Sequence, residues 1–260
     1  MGFMKKMKAS MGVGNAEVET DLQSPHCYPG GVAAGVVTFK GGQVDQKINF
    51  LAVHLQAEVE VEGEDSEWKE NVKFHTERLV GEFTIAAGQT TTYPFQMSVP
   101  WETPLTNIGG QHLRGMKVGV KTELDIAGGR DAFDFDELEV LPLPVHERIL
   151  AALLSLGFTF KSSDVEKGRA AGSQMPFYQE IEFHPGGQYA GKINELELTF
   201  ITQPHGVEVL LEIDNKGGFF SDGNDSVTRF TVPMAGFEQT NWEEVIHGHV
   251  TQAGSRRGFW

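Results

Sequence analysis

Nine histidines, one cysteine and 36 carboxylates are the residues of this chain that could do chemistry. His247-Gly248-His249 is the closest pair of imidazoles and would suit a metal. Residues i and i+2 of a helix point apart, so this pair chelates only from extended chain. No H-E-x-x-H and no cysteine partner accompanies it, and a zinc centre wants at least three converging ligands. Those histidines therefore read as surface or partly buried groups. Cys27 stands beside His26, which suggests an activated thiol. Neighbouring side chains of a strand face opposite ways, so the expectation is a packed, inert thiol. Asp131, Asp134, Asp136 and Glu137 could supply a carboxylate pair for acid–base work; they read instead as a solvated loop entering a strand at 137–140. Glu58, Glu60 and Glu62 alternate along one stretch and could suggest calcium. Calcium needs six to eight converging oxygens, and a flat strand face does not converge. No G-x-S-x-G, no G-x-x-x-x-G-K-[ST], and no G-x-G-x-x-G following a strand occurs. The expectation is a protein without catalysis, cofactor or metal.

The elements that would position these residues are mostly strands. From Phe50 to Glu62, Leu51, Val53, Leu55, Ala57, Val59 and Val61 fall on one face. His54, Gln56, Glu58, Glu60 and Glu62 fall on the other, which is the period of a half-buried strand. Gly63 to Glu70 reads as the loop that follows. Val118, Val120, Thr122, Leu124 and Ile126 repeat the pattern, with Lys117, Lys121, Glu123 and Asp125 facing out. Short strands are also predicted over Phe177–Phe183, Glu195–Phe200, Val207–Asp214 and Thr228–Val232. Six Gly-Gly pairs supply turns between them. Alternation with polar outer faces points to antiparallel sheets.

One helix divides the strands. Pro144 suits a first helical position and Gly157 a left-handed residue past the end. Val145, Ile149, Ala152, Leu153 and Leu156 recur at helical spacing, and Leu150 and Leu154 widen the stripe. So wide a stripe predicts cover on more than one side, by the strands that follow the helix and also at the junction between the domains. A second helix is predicted near the C-terminus, where Thr240-Asn241-Trp242-Glu243 has the form of a capping box. There Trp242, Val245, Ile246 and His249 share a face. At the N-terminus Phe3, Met4, Met7 and Met11 form an apolar stripe with Lys5, Lys6 and Lys8 between them. That is a short amphipathic helix over 1–13, either docked on its own domain or free for a partner or a membrane surface.

The totals exclude several classes. Twenty-one basic against 36 acidic residues give a net charge of −15, which repels nucleic acid and anionic membranes. No run reaches the ~18 apolar residues of a membrane span. The single cysteine cannot form an internal disulfide, and with no signal peptide the expected compartment is the cytoplasm. About 125 residues of strands precede the dividing helix and about 90 follow it, each the size of one β-sandwich.

Several segments together resemble the SpoOM family of sporulation-control proteins. They are the opening Phe3–Thr20 (FMKKMKASMGVGNAEVET), Tyr28-Pro29-Gly30 with Gly35-Val36-Val37, and Tyr93-Pro94-Phe95. Val99–Pro104 (VPWETP), Val118–Ile126, Val145–Phe158, Met175–Phe183 and Val207–Asp214 complete the set. Gly31 departs from the family's usual acid at that turn. The resemblance implies an all-β protein of two arrestin-like antiparallel β-sandwich domains in tandem, 1–141 and 142–260. It also implies a regulator or adaptor that binds other proteins, with no catalytic residues to carry over.

The expected partner surface comprises Phe3, Lys5, Lys6 and Met7 at the N-terminus and the acidic row Glu58, Glu60, Glu62, which favours a basic partner. A homodimer through sandwich edges is a further expectation. The competing functions are a peripheral membrane scaffold using the N-terminal segment and a small-molecule binder at the domain interface.

Overall fold

The structure is a computed structural model and describes residues 14–63, 66–215 and 225–255. The expected N-terminal helix over 1–13, with Phe3, Lys5, Lys6 and Met7, lies outside the described residues. Strands dominate. In chain order they are β1 (Glu17–Leu22), β2 (His26–Cys27), β3 (Val32–Lys40), β4 (Gln46–Glu62), β5 (Glu67–Val80), β6 (Phe83–Ile85) and β7 (Thr90–Ser98). Then come β8 (Asn107–Ile108), β9 (Gln111–His112), β10 (Val118–Ile126), β11 (Ala132–Glu137) and β12 (Glu139–Val140). Helix α1 (Pro144–Ser155) precedes β13 (Thr159–Lys167), β14 (Phe177–His184), β15 (Ile193–Gln203), β16 (Gly206–Asn215) and β17 (Asp225–Pro233). Helix α2 (Trp242–Ser255) follows. The all-β class expected from alternation is the class found.

Two compact units divide the chain. The described part of the first takes 14–58, 71–100 and 117–140; that of the second takes 59–63, 66–70, 101–116, 141–215 and 225–255. The first unit has a three-stranded sheet, β1-β3-β7, and a second sheet in which β4 lies beside β10, and β10 beside β11. Its core is the inward set of β4 and β10: Leu51, Val53, Leu55, Val120, Thr122 and Leu124 are fully buried. Within that core the Thr20 and Thr122 hydroxyls pair at 2.5 Å, which satisfies both.

The second unit is a sheet in the order β13-β14-β15-β16-β17, with both helices on one face. Leu196, Leu198, Val207, Val209, Leu211 and Ile213 point to the helices and are sealed from water. Helix α1 covers them with Val145, Ile149, Ala152 and Leu153, and α2 with Trp242, Ile246 and Val250. The layer opposite the second unit's sheet is this helix pair. Arg148 on α1 donates two hydrogen bonds to Glu243 on α2, at 2.9 and 2.8 Å.

The ends of α1 are built as the residues dictate. Pro144 is its first residue, after Leu143. At the other end Gly157 adopts φ 96°, and its N–H reaches Leu154 O while that of Phe158 reaches Leu153 O. This double bond closes the last turn, and Phe158 packs in the same core as Leu153. Leu154 departs from expectation: it is 54% exposed, so the apolar stripe is covered on one side only. On α2 the cap is Asn241, one residue later than predicted; its Oδ1 accepts the Glu244 N–H at 3.3 Å. Gly248 is tolerated inside α2 because the helix buries Ile246 and Val250 on either side of it.

Three sequence expectations are corrected. Glu67–Val80 is a strand of 14 residues rather than the end of a loop, which is confined to the turn closed by Gly63 N–H on Ser66 O. Ala132–Glu137 is a strand paired to β10, rather than a loop. β4 is buried on both faces over much of its length, since His54 and Gln56 are only 5% and 7% exposed. Cross-strand side chains cover its polar face: His54 pairs with Thr76 and Glu123, and Gln56 with Asn71.

Candidate functional site

The solvent face of the second unit's sheet is lined by carboxylates. Inward positions of β14, β15 and β16 are apolar, and many of the alternate positions carry acid: Glu180, Glu182, Glu195, Glu197, Glu208 and Glu212 are half-buried there, beside Tyr178 and Leu210. The register brings them together. Asp164 stands opposite Glu180, Glu182 opposite Glu197, and Glu197 opposite Glu212, across four neighbouring strands. Glu60 of β4 pairs with Glu166 at one margin. Strands lie ~4.8 Å apart, and like charges directly opposite destabilise a sheet. Fold stability alone does not ask for such a row.

Two cations offset it locally. Lys161 bridges Glu182 and Glu195, 2.6 Å from each. Arg229 pairs with Glu208 at 2.9 Å. Partial burial raises the Glu182 carboxyl, but the hydrogen bonds from Lys161 and Ser162 outweigh it and hold the group at about 2. Around Glu180 the opposite holds. Partial burial, with Glu197, Asp164, Glu166 and Glu212 around it, pushes Glu180 up to about 8. Burial, with Glu182 and Glu166 nearby, pushes Asp164 up to about 7. Burial and the neighbouring carboxylates together raise the carboxyls at the centre of this face.

The predicted acidic row falls at the edge of this field. Glu60 and Glu62 belong to the second unit, where Glu60 faces Glu166 and Glu62 is exposed. Glu58 belongs to the first unit and is half-buried, with its N–H on Lys117 O. Sequence reading missed the larger set, although the signal was there. The stretches FYQEIEF, ELELTF and VEVLLEID all place glutamate on alternate residues. They were read as separate strands, and only their pairing turns three short alternations into one surface.

The other chemical candidates disperse. His247 pairs with the Tyr189 hydroxyl and His249 with that of Thr228, both at 2.7 Å, so the two imidazoles serve separate partners. Cys27 is buried and its thiol is pushed up to about 11, while His26 is exposed and pairs with Glu139. Asp131 and Asp134 accept backbone N–H groups from Ile126 and Thr20. Two carboxylate trios lie with oxygens within 4.8 Å and could approach a hard cation: Glu123, Asp125, Asp131 and Asp164, Glu166, Glu180. In the first trio the oxygens already serve Lys73, His54, Asn49 and the Ile126 amide.

Sequence reading also missed two histidine networks. His54 lies between the Thr76 hydroxyl at 2.9 Å and the Glu123 carboxylate at 3.0 Å. This is the connectivity of a hydroxyl–imidazole–carboxylate relay, but Lys73 also grips Glu123 and so competes for its charge. Burial and Lys73 together lower the His54 pKa. His146 is 1% exposed. Its Nδ1 accepts the Leu143 N–H at 3.2 Å, which leaves the Nε2 proton for Thr202 at 2.9 Å. Burial pushes it down to about 4. It is a helix cap made from an imidazole.

Fold and surface together define a two-unit, all-β protein whose distinctive surface is an acidic sheet face. The profile of the SpoOM protein family matches residues 4–217, and the chain belongs to that family. Sporulation-control protein spo0M of Bacillus subtilis (strain 168) is 35% identical over 217 residues, 83% of this chain and 82% of that protein. The crystal structure of B. subtilis Spo0M superposes with a TM-score of 0.80 at 31% identity, over 93% of this chain and all of that one. Among the described residues no helix is long and apolar enough to cross a membrane.

Proposed function

We propose that this protein is a non-catalytic cytoplasmic regulator of the sporulation-control type, an adaptor that binds a basic segment of another protein across the carboxylate face of its second unit. Family membership supports the regulatory role, through the name of the B. subtilis relative. The observation that carries the binding mode is the Glu182–Glu197–Glu212 row, in register on three neighbouring strands. Side chains that repel one another in the free protein gain when a cationic partner arrives, so the row trades stability for binding. The geometry of the His54 network supports the absence of catalysis: its carboxylate is shared with Lys73, and Thr76 offers only a secondary hydroxyl on a strand.

A peptide of alternating lysines, titrated into the whole protein by fluorescence anisotropy, tests this reading. Binding is expected at low salt, weakening steeply as salt is added, and weaker by roughly tenfold or more for Glu197→Gln/Glu212→Gln. Equal affinity of the variant and the natural chain would remove the acidic face from the account.

A further inference from the structure

The first unit presents the opposite chemistry. An open cavity of about 750 Å³ lies on the outer face of its β4–β10–β11 sheet; four cations (Lys73, Lys117, Lys121, Arg130) line it against two carboxylates (Asp131, Asp134), with two amides and the Phe133 and Phe135 rings between them. That volume is in the range of small-molecule sites, roughly 300–1,000 Å³. We propose that it binds a small, multiply charged phosphate compound of the diphosphate class.

Four cations converge there in a chain whose net charge is −15. Their nearest carboxylates are largely committed elsewhere. Asp134 accepts the Thr20 N–H at 2.7 Å and Asp131 the Ile126 N–H at 2.9 Å. Among the described residues only Lys73 of the four has an ion-pair partner, Glu123. An ammonium has three donors; Glu123 takes one, and His54 Nε2, which donates to that same carboxylate, cannot accept another, so donors remain for the cavity.

Lys117 and Lys121 are held in place by aromatic rings. Lys117 Nζ lies 5.3 Å from the centre of the Phe135 ring and Lys121 Nζ 4.6 Å from that of Phe133. Lys121 is on β10 and Lys117 stands one residue before that strand, its carbonyl still bonded to Glu58 N of β4; four residues apart on extended chain, their backbones are separated by about 13 Å. Two charge centres on one ligand reach such a pair better than one. Gly119 between them has no side chain, and the Phe135 ring fills the space, 2.6 Å from where a Cβ would stand. That ring and the missing side chain keep the floor between the two lysines low and apolar.

The overall negative charge does not forbid an anion here. At physiological salt the Debye length is ~8 Å, so the local cations outweigh carboxylates on distant surfaces. Phosphate is favoured over carboxylate because each group carries more charge and more acceptor oxygens. Asp131, Glu123 and Asp125 make the end of the cavity beside Arg130 acidic, so the phosphates are placed toward Lys117, Lys121 and Lys73.

The test is calorimetric titration of the whole protein with sodium pyrophosphate at 0.15 M ionic strength, a physiological level, with sodium sulfate as the single-centre control. Saturable binding is expected for pyrophosphate, at least roughly tenfold tighter than for sulfate. Lys117→Gln/Lys121→Gln keeps the stems over the rings and should weaken it roughly tenfold or more. If that variant melts early, Lys121→Gln alone provides the same reading, with a smaller loss. No saturable heat up to about 10 mM pyrophosphate, equal affinity for sulfate, or unchanged affinity in the folded variants would each overturn the proposal.

Discussion

Replacing Glu180 by glutamine should make the second unit more stable at alkaline pH. Glu180 sits at the centre of the acidic face, and its carboxyl is pushed from the ordinary 4.5 to about 8. A carboxyl raised in the folded state binds its proton more tightly there than in the unfolded chain. Its contribution to stability is therefore full below about pH 4.5 and is lost as pH rises through about 8. At ~1.36 kcal/mol per pH unit the unscreened ceiling for that loss is about 5 kcal/mol. The group is partly solvated, and screening reduces the figure to about 1–2 kcal/mol. Glutamine keeps the shape and carries no charge at any pH. Thermal melting of Glu180→Gln and the natural chain, followed by far-UV circular dichroism from about pH 5 to about pH 9, reads the difference directly. The two should melt alike at the acid end. At the alkaline end the variant should melt roughly 2–6 °C higher. A variant that melts lower at pH 9, or a difference that does not grow with pH, would refute the claim that these carboxylates repel one another.

Further outcomes follow from the core of the second unit. Leu153→Asp puts a charge into a site with no exposure and should lower stability by more than about 3 kcal/mol; urea unfolding measures it. His146→Leu leaves the Leu143 N–H and Thr202 without their partner and should cost about 1–3 kcal/mol at neutral pH. With its folded pKa lowered to about 4, His146 contributes stability that is full above about 6.5 and lost as pH falls toward 4, by up to about 3 kcal/mol; the variant should lack that part of the acid limb. Gly186→Ala places a Cβ 2.1 Å from the Gly157 carbonyl oxygen and should abolish soluble folded protein, whereas Gly236→Ala meets no atom and should cost only about 1 kcal/mol through its φ of 78°. Expression yield and melting temperature distinguish the two.

Strand and helix identity was legible wherever one face of an element is apolar. β4, β10, β14, β15 and β16 announce themselves by alternation, and α1 by Pro144 and Gly157. β5 and β13 were not legible. Glu67–Val80 has six charged residues among 14 and Thr159–Lys167 four among nine, neither shows a clean apolar alternation, and both are strands because of what they pair with. The polar face of β4 was expected to be wet, yet His54 is nearly sealed by side chains from β5 and β10. No single-strand pattern reports that cover. The candidate site was legible one strand at a time. Glu60 and Glu62 were singled out for their spacing, but Glu180, Glu182, Glu197 and Glu212 become a surface only through register, which alternation does not fix. The caps tell the same story on a smaller scale: a serine, threonine or aspartate is easily read as a cap, and an imidazole at the third helical position is not.

The account stands or falls on whether the acidic face recruits a partner. The most direct measurement is quantitative crosslinking with mass spectrometry in the native cell, comparing the natural chain with Glu180→Gln/Glu197→Gln/Glu212→Gln. These substitutions relieve repulsion and leave the Lys161 bridge to Glu182 and Glu195 intact, so the variant should stay folded. Crosslinks from Lys161 to a lysine-rich segment of another protein are expected with the natural chain and should fall at least severalfold in the variant. The same partners in the same yield from both chains would contradict the account.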